Sequence, residues 1–157
     1  MSLISALANV HHQGQFGDFE DKKGDDLLQI SEKKNLLIVQ IVQFKNSKIP
    51  IESIDIDGLK LKDSSLNVAF NENTRMLWNG PKNWLLVSTK KDLIKKISST
   101  CKETDFAVTD LSHSRAVIEI EGNYVLEVLK KGSPFNFDIL KKNNSINSLY
   151  NNIAFTV

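Results

Sequence analysis

The sequence predicts an α+β fold: an antiparallel sheet with two helices on one face, and extra strands ahead of it. Three observations predict it. Short runs of β-branched and aromatic residues alternate with polar ones at a period of two. Two windows, 91–102 and 124–131, switch to the helical period, with apolar residues three and four apart. The order of these windows from Trp84 onward is strand, helix, strand, strand, helix, strand, the split βαβ arrangement called ferredoxin-like, βαββαβ.

Residues 1–26 read as an arm. Gly14, Gly17 and Gly24 and a mixed-charge patch at 18–26 leave little to bury, although Leu3, Ile4, Leu7 and Val10 have the spacing of one short helix. From Leu27 the pattern is that of strands. Residues 27–32 form a short one, and 36–44 alternate after an apolar start. Ile49-Pro50 ends that run, because proline cannot donate to a ladder. Residues 54–61, around Gly58, read ambiguously as strand and turn; 67–71 and 75–78 follow as strands. Residues 84–88 are a strand. The helix at 91–102 carries Leu93, Ile94, Ile97 and Cys101 along its inner stripe. Strands follow at 106–110 and 115–121, the latter setting Ala116, Ile118 and Ile120 against Arg115, Val117, Glu119 and Glu121. Gly122 turns the chain into the second helix. Gly132 is expected just past its end, in the left-handed conformation that closes a helix, with Pro134 preventing resumption. Residues 153–157 form the last strand. The domain expected is therefore 27–157, with a division into small lobes near 27–74 and 75–157 as a variant.

The bulk numbers exclude several classes of function. A chain of 157 residues with 20 basic and 19 acidic side chains has no excess charge to attract nucleic acid. Lys-rich stretches at 90–96 and 130–142 are not interleaved with aromatics and read as solvated faces. A single cysteine, Cys101, excludes an internal disulfide and fits a reduced, cytoplasmic setting. The apolar runs are too short to span a membrane, and no secretory leader is evident. No Gly-x-Gly-x-x-Gly and no Gly-Lys-Ser/Thr loop is present to cradle a dinucleotide or nucleotide phosphate. His11 and His12 are adjacent and point apart, so no metal is expected.

Two stretches carry identity. In Arg75-Met76-Leu77-Trp78-Asn79-Gly80-Pro81-Lys82-Asn83-Trp84-Leu85-Leu86, a Gly-Pro turn joins strands that each carry a Trp. This is a hairpin pinned by two large aromatic surfaces, one of which, if half exposed, suits a partner-binding edge. In Asp110-Leu111-Ser112-His113-Ser114-Arg115, three catalytic residue types crowd one turn. A hydrolase triad is assembled from separate segments, so this cluster reads as turn chemistry, with Asp and Ser bonding to nearby backbone. His113 is then a structural donor, and Arg115 an ion-pair or interface residue. No catalytic, cofactor-binding or metal-binding residue is expected in this chain.

The Asp-x-Ser-His turn, an alternating strand, a Gly and then a helix resemble the folate-binding fold of aminomethyltransferases. The fuller string, Leu-Trp-x-Gly-Pro-x-x-Trp-Leu-Leu followed by Asp-x-Ser-His-Ser-Arg and Lys131-Gly132-Ser133-Pro134-Phe135, resembles the gamma subunit of heterotetrameric sarcosine oxidase. The resemblance runs in order over residues 27–157. It implies a non-catalytic subunit of an enzyme that oxidises sarcosine to glycine, forms hydrogen peroxide and passes the methyl carbon to tetrahydrofolate. FAD, FMN and NAD would belong to the alpha and beta subunits, zinc to the delta subunit, and the main partner would be alpha. The interface residues expected are Trp78, Trp84, His113, Arg115, Pro134 and Phe135, with the N-terminal arm. Two departures stand out. The transferases place an acidic Gly-Gly-x-x-Asp-Asp segment beside folate, whereas residues 139–152 contain neither an acidic residue nor a glycine. The family also continues with a further strand and helix, so an open C-terminal edge is expected. The alternatives are a stand-alone folate-binding protein, aminomethyltransferase-like or active in tRNA modification, and a generic ferredoxin-like adaptor.

Overall fold

A computed structural model describes Ser5, residues 7–10, His12, residues 14–17 and residues 27–157. The helix expected from Leu3, Ile4, Leu7 and Val10 falls partly outside these residues, and the charged patch at 18–26 lies wholly outside them. The strands are β1 (Gly14–Phe16), β2 (Leu28–Lys33), β3 (Leu37–Gln43), β4 (Asp55–Ile56), β5 (Leu59–Lys60), β6 (Val68–Phe70), β7 (Thr74–Gly80), β8 (Asn83–Ser88), β9 (Phe106–Asp110), β10 (Val117–Glu121), β11 (Asn147–Tyr150) and β12 (Ile153–Thr156). The helices are α1 (Leu93–Thr100) and α2 (Val125–Gly132). The fold is α+β, with antiparallel sheets, and from Trp84 onward it has the expected chain order with one further strand, β11, before the last. That order is distributed over two units: β8, α1 and β9 belong to one, and β10, α2, β11 and β12 to the other. Each unit is assembled from separated segments of the chain.

The larger unit comprises residues 35–115 and 142–146. Its sheet has the order β6-β7-β8-β3-β9. The register sets Leu37, Val39 and Ile41 of β3 opposite Ser88, Leu86 and Trp84 of β8, so these side chains share one face. Met76 joins them from β7 and Phe106 from β9, and Leu93 and Ile97 of α1, with Cys101 just after the helix, complete the same core. The helix forms where the 3.6-residue stripe predicts it. Ile54, Ile56 and Leu61, around the β4–β5 hairpin, are also buried in this core. The hairpin turns on Asp57 and Gly58, with φ of 57° and 77°. Asp-Gly is the pair that a two-residue turn with consecutive positive φ favours, which resolves the ambiguity of residues 54–61.

The other unit comprises residues 1–34, 116–141 and 147–157 where described. β2 sits between β1 and β10, pairing antiparallel with both. Within the expected arm, Gly14–Phe16 pairs with β2, Phe16 opposite Leu28 and Gly14 opposite Ile30, while Gln15 and Phe16 stay exposed. The period-two pattern of β10 does not bury Ile118, which stays 47% exposed. Gly132 also departs from expectation. It lies inside α2 and is absent from the positive-φ residues. Glycine is needed there for space, because a Cβ would meet the Tyr150 ring at 2.4–2.7 Å. The hairpin that carries this ring, β11–β12, turns on Asn151 and Asn152, both at positive φ.

Candidate functional site

The hairpin at residues 75–86 folds as its sequence suggests. Gly80 (φ 153°) and Lys82 (φ 54°) make the turn, with an irregularity in pairing after Trp78. Trp78 and Trp84 face each other across β7 and β8, and their environments differ. Trp84 is 1% exposed and donates its indole N–H to the Lys62 carbonyl at 2.8 Å. Trp78 is half-buried and donates to Asp63 Oδ1 at 2.7 Å, on an exposed carboxylate that also accepts from the Lys82 backbone N–H. Of the two Trp residues expected at an interface, Trp84 belongs to the chain's own core, and Trp78 has surface to offer.

The turn after β9 is a clamp between backbone segments. Ser112 donates its hydroxyl to Asp110 Oδ1 at 2.6 Å and its backbone N–H to the same oxygen at 2.9 Å. Its Oγ then accepts the Ile38 backbone N–H at 3.0 Å, while the Leu111 N–H reaches the Ile38 carbonyl at 2.7 Å. The serine therefore continues the β3–β9 ladder one step past its end. These bonds hold the Asp110 carboxyl below the usual carboxylate range, the side-chain bond from Ser112 being the main cause. The hydroxyl proton of Ser112 goes directly to a carboxylate, with no imidazole between them, so the geometry of an activated nucleophile is not assembled here. His113 and Arg115 follow as exposed residues of the same loop.

Pro134 and Phe135 lie in the other unit, after α2. Pro134 is exposed; Phe135 is half-buried and meets Phe137 edge-on at 5.2 Å. Ser133 bonds Ser148 at 2.9 Å beside them. The six expected interface residues therefore divide: Trp78 and Trp84 on one hairpin, His113 and Arg115 on one loop, Pro134 and Phe135 on a separate unit.

A polar cluster not singled out in the sequence lies at Asp57. Its carboxylate accepts from Lys90 Nζ at 2.7 Å, Thr74 Oγ1 at 2.7 Å and Asn71 Nδ2 at 3.2 Å. The ammonium of Lys90, then the Thr74 hydroxyl, lower its carboxyl to a pKa of about 2. Thr74 also meets the buried Ser88 hydroxyl at 2.9 Å. The only sequence signal is the Asp-Gly turn itself; Asn71 and Thr74 come from the β6–β7 turn and Lys90 from the segment after β8.

Cys101 is buried, and burial pushes its thiol up to about 11, which keeps it protonated and unreactive at neutral pH. Among the described residues no group of His, Cys, Asp and Glu side chains is placed to share a metal ion. Nor is any helix there long and apolar enough to cross a membrane. The stretch 139–152 contains no acidic residue and no glycine.

No family model and no curated protein matches the sequence. Among solved structures, a chain of the heterotetrameric sarcosine oxidase from Corynebacterium sp. U-96, in complex with pyrrole 2-carboxylate, has the same fold. It superposes with a TM-score of 0.75 at 22% identity, covering 85% of this chain and 71% of that one.

Proposed function

We propose that this chain is a non-catalytic subunit of a heterotetrameric sarcosine oxidase and occupies the place of the gamma subunit. The observation that carries this reading is the fold shared with a chain of such a heterotetramer, on a sequence with the Leu-Trp-x-Gly-Pro-x-x-Trp-Leu-Leu and Asp-x-Ser-His-Ser-Arg motifs. The side-chain chemistry supports a role without turnover. The one thiol is buried and protonated, the Ser112 hydroxyl is committed to Asp110 and Ile38, and residues 139–152 lack the carboxylate a folate enzyme uses. In this role the chain packs chiefly on the alpha subunit in the cytoplasm. FAD, FMN and NAD sit in the alpha and beta subunits, zinc in delta, and tetrahydrofolate accepts the methyl carbon of sarcosine elsewhere in the complex.

The test is co-expression with the flavoprotein genes in adjacent reading frames. A stable complex is expected, with sarcosine-dependent peroxide formation by the complex and none by the isolated chain. Failure to co-purify with any flavoprotein subunit sinks the reading. Tight binding of tetrahydrofolate by the isolated chain, measured by calorimetry, would instead favour a stand-alone aminomethyltransferase-like protein.

A further inference from the structure

We infer that the β11–β12 hairpin is a clip on α2 that opens and closes as a unit, with Tyr150 as its catch and the junction at Ile146–Asn147 as its hinge. The inference does not depend on the subunit role proposed above. Among the described residues β11 and β12 pair with each other and with no further strand. A two-stranded hairpin is marginally stable in water unless something packs on it.

The register puts Ser148, Tyr150, Ile153 and Phe155 on one face of the hairpin and Asn147, Leu149, Ala154 and Thr156 on the other. On the second face Leu149 is 47% exposed and Ala154 is exposed too, so little apolar burial holds that side down. What holds the first face is gathered at the last turn of α2. The Tyr150 ring lies where a side chain on Gly132 would stand. Its hydroxyl donates to the Val128 carbonyl at 3.2 Å, and the Asn151 N–H donates to the Gly132 carbonyl at 2.8 Å. The Ser133 and Ser148 hydroxyls bond each other at 2.9 Å, and Phe155 packs edge-on against the same ring. Contacts gathered around one side chain are made together and lost together.

The neighbouring segments have supports of their own. Lys130 of α2 reaches Asp138 at 2.9 Å, and Phe137, in the 3-10 turn after the helix, is buried. Ahead of the hairpin the chain is fixed, since the Ser145 N–H donates to the Leu66 carbonyl at 3.1 Å and Ser145 and Ile146 are both buried. Asn147 is exposed, and this change from buried to exposed marks the hinge. Opening therefore frees residues 147–157 without breaking a ladder bond of the three-stranded or the five-stranded sheet. That is a sub-global opening, easier than unfolding the chain.

Hydrogen exchange of the full chain, followed amide by amide in low denaturant, tests the clip. The bonded amides of β11 and β12 are expected to exchange on the order of a hundredfold faster than those of β3 and β8. Their opening should also depend less on denaturant, because it exposes less surface. Tyr150→Phe, which removes only the hydroxyl bond, should speed the hairpin amides, and Tyr150→Ala should speed them further. Both variants should leave the β3 and β8 amides as they are. Cysteines at both serine positions, Ser133→Cys with Ser148→Cys, should lock the clip when oxidised and slow its amides toward the β3 rate, with reduction restoring them. Hairpin amides that exchange with the rate and denaturant dependence of β3 would show that the hairpin opens only with the whole chain, and the inference falls. It falls equally if Tyr150→Ala speeds the β3 and β8 amides as much as the hairpin's, or if the oxidised double variant exchanges as fast as the reduced one.

Discussion

Tyr150 and Gly132 fit each other as ring and slot. The ring meets the helix where a Cβ would stand at 2.4–2.7 Å, its hydroxyl donates to the Val128 carbonyl at 3.2 Å, and Phe155 packs edge-on at 6.3 Å. Alanine is ordinarily the better helix residue by about 1 kcal/mol. At this position the overlap outweighs that preference, and Gly132→Ala is expected to destabilise by about 1–3 kcal/mol in urea unfolding. Adding Tyr150→Ala should make the Gly132→Ala step close to neutral, since the overlapping atoms are gone; equal costs in both backgrounds would show that the ring is not the reason for the glycine. The Gly-Ser-Pro string suggested a left-handed cap. Sequence spacing alone does not reveal a ring delivered from residues further along the chain.

At the scale of the element, the β4–β5 hairpin is held by charge as well as by burial. Asp57, at φ 57°, anchors it to Lys90, Thr74 and Asn71. Its carboxyl has a folded pKa of about 2 against 3.8 when unperturbed. The folded value is the lower one, so the clamp contributes fully above about pH 4 and is lost as pH falls toward 2. Thermal midpoints of wild type and Asp57→Asn should therefore differ at pH 7 and converge near pH 2, Asn keeping the backbone conformation. At pH 7 the expected cost is about 1–3 kcal/mol, for hydrogen bonds to a charged group. Much of the element layer was legible beforehand: β3, β7, β8, β9 and both helices follow periodicity closely. β11 was missed, although Asn151-Asn152 between Tyr150 and Ile153 is a hairpin signal. Which sheet a strand joins was not legible. Period two identifies β10 as a strand but cannot announce that its partner is β2, from near the start of the chain.

For the whole molecule, the two tryptophans separate what the chain keeps for itself from what it can offer a neighbour. Trp84→Ala opens the main core and is expected to cost about 3–5 kcal/mol, with loss of cooperative unfolding in the larger unit. Trp78→Ala breaks one bond to an exposed Asp63 and should leave far-UV dichroism unchanged. On the proposed role, it weakens co-purification with the flavoprotein subunits while stability stays near wild type. Wild-type retention in the complex would remove Trp78 from the interface. The candidate interface was legible as a set of residue types but not as a place, because Pro134 and Phe135 fold with a different unit from the other four residues.

The way the chain is shared between the units bears on the order in which they mature during synthesis. Residues 35–115 make up nearly all of the larger unit, so a ribosome that has released them has supplied its whole sheet, with 142–146 to follow. The other unit draws on residues 1–34, 116–141 and 147–157, where described. Its helix α2 carries a slot at Gly132 that stays empty until Tyr150 emerges. Vectorial folding then completes the larger unit first, and the second unit closes only once residues 147–157 have emerged.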